Sequence, residues 1–433
     1  MKKQAFWMYY RIIFILNAVL CFSEYVGNAQ SVEAPFLLYS PSPAITGMGG
    51  AGTALPSDDP YNFFYNPAQL GLSGENHVSI GIYPSPVHIS PAFSDILFSN
   101  YTLHGAYDMS KLLGVFPLRL GAGFLYQKID FGKFTRTTEN GNVLGVVHPY
   151  ENAATFSLGF GFDFFLKISG GISYKLIWSR MSILTDTANP DTKGNADAFD
   201  LGILADLPVL SSMPISDNLS LDLSASAGYT FANWGSDMVY TVNNSDFGSP
   251  IARTARLGYG LSGGIDYKIK DMKIKLIKID WTSEANDLLV KNVANANQKD
   301  TTYTQGYKPP LGDINFWDNV IMLKNTSTSA VNRHGVKFSI FETADIALGE
   351  YGIPGSYNKM TGSTLGIIIS TKGIMKILSL DINNNIIKFI ANHFILQYSY
   401  SRIKFDEYDY GYGNIYQYRD QSYNAIYLIF SGF

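Results

Sequence analysis

From about Asn76 to the C-terminus, large apolar side chains alternate with small or polar ones in short runs separated by turn formers. Ala153 to Phe162 shows the pattern. The even positions from Phe156 are large and apolar, and the odd ones are small or polar. A period of two puts alternate side chains on opposite faces of a strand. Such runs are read at 76–83, 99–107, 118–130, 153–166, 168–180, 195–208, 217–230, 252–267, 271–284, 332–341, 343–351, 362–370, 392–405 and 421–433. They number about fourteen, an even count, as single-chain bacterial barrels require.

The gaps between runs alternate in length. Those after the odd-numbered runs are about ten residues or more, and the longest spans Ala285 to Val331. The intervening gaps are tight at Lys167-Ile168, Lys268 to Lys270 and Glu342, and intermediate at Asp108 to Phe116 and Pro208 to Ile215. Long outer loops opposite short periplasmic turns are expected of an antiparallel membrane barrel and not of a soluble sandwich. Thr371 to Ala391 breaks the rule. Its apolar stretches, Ile374 to Leu378 and Ile386 to Ile390, suit short amphipathic helices at the periplasmic face.

Residues 30–75 lack the alternation. Turn formers dominate there, in Ser40-Pro41-Ser42-Pro43, Gly47 to Gly52, Ser57 to Pro60 and Asn66-Pro67-Ala68. The segment is too apolar for a disordered tail. Before it, Lys2, Lys3 and Arg11 precede an apolar core at Ile12 to Phe22 and a small-x-small site at Gly27-Asn28-Ala29. This predicts an export signal over 1–29, a chain start at Gln30, and a barrel over 76–433.

Composition agrees with a barrel. Charged residues are 16% of the 433, aromatics 14% and glycines 40 in number, while mean hydropathy is near zero. Lipid-facing residues alternating with a polar lumen give such an average, whereas helical spans would raise it. With a net charge of −4, no basic face for nucleic acid is expected. The one cysteine, Cys21, lies in the predicted signal, so thiol chemistry is excluded from the exported chain.

No enzyme, cofactor or metal site is read. Gly47 to Gly52 and Gly258 to Gly263 match G-x-G-x-x-G but lack the strand–helix setting of a dinucleotide site. The six histidines lack zinc-site spacing, and His104 near Asp108 reads as a strand residue facing the lumen or the interface. Asp280, Glu284 and Asp287 read as solvated acids leading into the longest loop. The tyrosines from Tyr408 to Tyr418 read as outer-loop packing and interfacial girdle. Phe433, ending the last run, is expected to close the barrel.

Pro43 to Ala54, then Asp58-Asp59, and Tyr61 to Leu70 resemble the entrance of FadL-type outer-membrane barrels. Ala198 to Leu204, Thr254 to Tyr259, Asp280 to Asp287 and His334 to Thr343 are similar to the PorV/PorQ-like branch known from Bacteroidetes. Two departures stand out: Pro56-Ser57 replaces a usual alanine-rich run, and the insertion around 286–332 is long. The resemblance implies an all-β transmembrane antiparallel barrel of about fourteen strands, with an N-terminal hatch plugging the lumen. It implies hatch or gating roles for Gly47, Gly49, Gly50, Asn66, Pro67 and Ala68. It also implies a Gram-negative outer membrane and contact with its lipid. Two non-enzymatic functions stay open: binding exported proteins or translocon components in type IX secretion, and passive transport of hydrophobic small molecules such as fatty acids or hydrocarbons.

Overall fold

A computed structural model describes residues 32–432, apart from 73–75, 90–95, 111–113, 115–116, 138–139, 182–191, 243–244, 270–271, 295–302, 328, 355–360, 382–383, 407, 410–414 and 417–419. The expected signal and Phe433 lie outside the described residues.

The chain is a closed 14-strand antiparallel barrel. In order the strands are β1 (His77–Ile82), β2 (Leu97–Asp108), β3 (Leu118–Asp130), β4 (Tyr150–Asp163), β5 (Lys167–Met181), β6 (Thr192–Ser216) and β7 (Leu219–Gly235). Then come β8 (Thr254–Ile269), β9 (Met272–Leu288), β10 (Ala330–Ile340), β11 (Ala344–Gly352), β12 (Thr361–Ser370), β13 (Phe394–Phe405) and β14 (Gln421–Ser431). Each pairs with its successor, and β14 returns to β1 with His77 opposite Ser431 and Ile82 opposite Ile426. Closure leaves no free sheet edge.

The period of two sets which face each residue takes. Val78, Ile80, Leu103, Leu158, Ile203, Ile346, Ile367 and Leu428 point out and are exposed. Ser79, Thr102, Ser157, Asp200, Thr282, Thr364 and Ser399 point in and are buried. A soluble protein would reverse this arrangement, because an exposed apolar band of this extent is costly in water. Lipid removes that cost, and a closed ladder lets strand amides pair internally. No described helix is long and apolar enough to cross a membrane; the strands cross it.

The loop alternation orients the barrel. The tight turns, such as 164–166, 217–218 and 341–343, lie at one end with His77 and Ser431; we take that end as periplasmic. There, helices α3 (Lys372–Asp381) and α4 (Asn385–His393) link β12 to β13, as the 371–391 stretch predicted. At the other end the described parts of the long connection after β9 fold back on the mouth. Lys308 Nζ reaches Asp287 (3.2 Å) and Asp313 (2.6 Å), and Ser283 Oγ donates to Val320 O (2.7 Å).

Asp280, Glu284 and Asp287 are not solvated loop acids: all three are buried on β9, which runs four residues beyond its predicted end. Ser431 is buried and lines the lumen, while Phe430 takes the outer side. Of the girdle tyrosines, only the backbone at 408–409 and 415–416 is described.

Candidate functional site in the barrel lumen

Residues 32–72 lie against the inner face of the barrel. Helix α1 (Pro43–Gly47) starts where Ser42 Oγ accepts from Ile45 N–H (3.1 Å), with proline pre-set at its first position. It stops at Gly49 and Gly50, whose φ values of 72° and 73° favour glycine. The chain then crosses to helix α2 (Asn62–Tyr65) and a 3₁₀ turn at Pro67–Gly71.

The wall accommodates the segment by omitting side chains. A Cβ on Gly366 of β12 would strike Gly47, and one on Gly335 of β10 would strike Met48. Gly202 of β6 and Gly171 of β5 are filled by Asn66, Pro67 and Ala68, and Gly121 of β3 by Leu70. These inward glycines let backbone meet backbone around the lumen.

The predicted residues divide between two walls. Gly47 and Gly49 meet β12, where Thr364 Oγ1 accepts from Gly49 N–H (3.1 Å) and donates to Gly47 O (2.9 Å). Gly50 sits over the Tyr351 ring of β11. Asn66, Pro67 and Ala68 sit on β5 and β6. Asn66 Nδ2 donates to Ile203 O and to Thr53 O, both at 2.9 Å, and Asn66 Oδ1 caps Ala68 N–H (3.0 Å). Asn66 thus joins the wall to both limbs of the segment.

Sequence reasoning missed the charged wall. Lys175, Asp200, Arg256, Glu284 and Arg333 are buried inward residues of β5, β6, β8, β9 and β10. Lys175 pairs with Asp200 (2.8 Å), and Glu284 lies 3.9 Å from Arg333. Two of these groups hold the segment by its backbone. Arg256 Nη1 donates to Phe64 O (3.2 Å) and Tyr65 O (3.5 Å), while Glu284 Oε2 accepts from Thr53 N–H (3.0 Å). Arg256 also lies over the Phe64 ring, at 5.1 Å. The available signal was parity: each charge stands at an inward position of an alternating run.

On the β1, β2 and β14 side the contact is aromatic. Tyr61 packs on Tyr83 (6.3 Å) and Tyr427 (6.0 Å), and Tyr39 on Phe98 (5.9 Å). Burial, with the Tyr351 phenol adding to it, pushes Tyr39 up to about 12, so it stays neutral. Phe63 meets His104, which is buried in the lumen, with its Nε2 3.2 Å from that of His77.

Between the segment and the periplasmic end lies a cavity of about 480 Å³. The segment contributes Asp58, Asp59 and Gln69; the wall contributes Lys167, Asp206, Lys275, Lys278 and Lys337. Burial pushes the Asp59 carboxyl up, against hydrogen bonds from Tyr61 N–H and Ser42 Oγ. For Asp58, burial within the barrel opposes ionisation, but the field of Lys372, His77, Lys278 and His104 outweighs it and lowers the pKa. Leu72, Ile368, Ile395 and Ile429 share the lining with these charged groups, so the space has polar partners enough to hold water beside an apolar wall.

No family model matches the chain, and no curated protein matches it. Among solved structures it is similar to the Pseudomonas putida toluene transporter TodX, at 9% identity over 94% of this chain and 99% of that one, with a TM-score of 0.37. It is also similar to a Pseudomonas aeruginosa FadL homologue (8%, 90% and 98%, 0.40) and to the CymD monoaromatic hydrocarbon channel (10%, 93% and 99%, 0.41). At such identities the resemblance concerns the barrel and not its cargo.

Proposed function

We propose that this chain is a non-enzymatic outer-membrane pathway for small hydrophobic compounds, in which residues 30–75 form a hatch that gates the barrel of 76–433. The observation that carries this reading is the aromatic layer between segment and wall. Tyr39, Tyr61, Tyr83, Phe98, Tyr423 and Tyr427 belong to one packed apolar cluster there, side chains that would suit aromatic or aliphatic solutes once the segment shifts. The opposite side supports movement. Arg256, Glu284, Thr364 and Asn66 bind backbone groups that water can satisfy once the segment shifts. Below it, the charged cavity offers a wet exit toward the periplasm.

A second reading, a PorV/PorQ-like protein that binds exported cargo or translocon partners in type IX secretion, is favoured by one observation. The outer connections expose Val143, Val146, Trp317 and Met322, the last two at 63% and 62%. Apolar side chains there suit a protein partner.

Gene deletion separates the two. Uptake of a labelled monoaromatic hydrocarbon or long-chain fatty acid is measured beside the profile of surface proteins. Lost uptake with intact surface proteins is the outcome expected; intact uptake with lost surface proteins would replace the first reading with the second.

A further inference from the structure

The α3–α4 connection is inside out by the standards of a water-exposed helix pair. On α3, the side toward the barrel carries Gly373, Lys376 and Ser379. Gly373 abuts the Phe341 carbonyl, Lys376 Nζ donates to Glu342 Oε2 (2.6 Å) and Lys273 O (3.3 Å), and Ser379 is buried. The side turned away carries Ile374, Ile377 and Leu378, exposed by 44–50%. On α4, Ala391 is buried, while Ile386 (70%), Phe389 (51%) and Ile390 (41%) are exposed. Both trios have the i, i+3, i+4 spacing that puts them on one stripe. A helix pair in water would turn those stripes inward.

The surroundings identify what covers them. The Phe389 ring lies 6.2 Å from Phe394, and Phe394 lies 5.0 Å from Phe430. Phe394 opens β13 with its side chain on the outer face, ahead of exposed Leu396, and Phe430 lies on the outer face of β14 beyond exposed Leu428. The apolar stripe of α4 therefore runs without interruption into the lipid-facing band. Ile340, Phe341 and Ile369, also exposed, extend that band beside the β10–β11 turn and the end of β12.

We propose that α3 and α4 form an interfacial hairpin whose apolar stripes lie among the acyl chains of the periplasmic leaflet. Its polar side then faces the barrel mouth, where Lys372 and Lys376 hold Glu342. Interfacial helices of this kind bury their apolar face about 5–10 Å into the boundary of headgroup and chain. A protein partner would need no continuity with the lipid band; a leaflet requires it.

The exported chain is expected to lack cysteine, so single labels can be placed cleanly. Ile377→Cys, Ile386→Cys and Phe389→Cys each receive an environment-sensitive fluorophore in the full-length mature protein. Ser211→Cys, on the exposed end of β6, gives an aqueous reference. Labelled proteins that keep a heat-modifiable barrel are reconstituted in phosphatidylethanolamine–phosphatidylglycerol vesicles. The expected result is blue-shifted emission at all three helix positions, quenched by nitroxide-labelled lipid and not by aqueous iodide. Emission matching the Ser211 reference would overturn the proposal. So would labels shielded in native outer membranes but water-exposed in vesicles, which would assign the surface to a protein partner.

Discussion

At the scale of single residues, the buried cation Arg256 grips the segment through the Phe64 and Tyr65 carbonyls. Arg256→Met keeps the bulk but leaves two carbonyls and Glu284 without it. Removing one member of a buried charge network costs about 3–5 kcal/mol. We expect a lower urea midpoint for the folded barrel in vesicles, read by gel shift. An unchanged midpoint would mean that water replaces the guanidinium freely. Gly171→Val tests the steric side. Valine suits a strand, but its Cβ would occupy the place of the Pro67 carbonyl. The barrel is expected to fold with residues 32–72 displaced, giving new protease cuts there and a raised ion conductance. The glycines and Asn66 could be read from turn chemistry and from resemblance. Arg256 and Glu284 are marked by parity alone, because a charge inside an apolar run resembles a strand end until the barrel supplies an inner surface for it. Asp280 and Glu284 look like loop acids for that reason, whereas Asp287 sits on the outer side of β9, where Lys308 of the following connection meets it.

Among the elements, all fourteen strands were legible, since lipid on one side and a polar lumen on the other enforce alternation more strictly than a soluble core does. Their lengths were less so. β6 runs to Ser216, and its pairing with β7 shifts register several times near that end, so the pattern blurs there. β9 extends to Leu288 because the folded-back loop covers it on the outer side, burying both faces and hiding the alternation. The α3–α4 pair was legible as amphipathic, though not which way its stripes point; that depended on Glu342. Burial alone would raise the Glu342 pKa, but Lys372 and Lys376 outweigh it and hold the carboxyl below its ordinary value of 4.5. The stabilisation is therefore complete above that ordinary value and is lost as pH falls through the lowered one. Hydrogen exchange of the first turn of α3 should rise in that acidic window and, in Glu342→Gln, should already be raised at neutral pH. Equal exchange in both proteins at neutral pH would show that this anchor holds nothing.

The whole molecule joins three layers: an outer mouth covered by the described parts of the connection after β9, a middle layer where segment and wall interlock, and a vestibule lined by charged and apolar side chains toward the periplasm. Among the described residues, the middle layer is where a solute meets packed side chains on every side. The central claim is that this layer opens. Ala68→Cys with Ser169→Cys puts one thiol on the segment and one on β5, where the Ser169 hydroxyl donates to the Ala68 carbonyl. A short reducible bifunctional reagent can then lock the layer in cells expressing this variant. The most direct measurement is the uptake rate of a labelled monoaromatic hydrocarbon, locked and then reduced. The account predicts that locking abolishes the protein-dependent uptake and that reduction restores it; equal uptake in both states would contradict it.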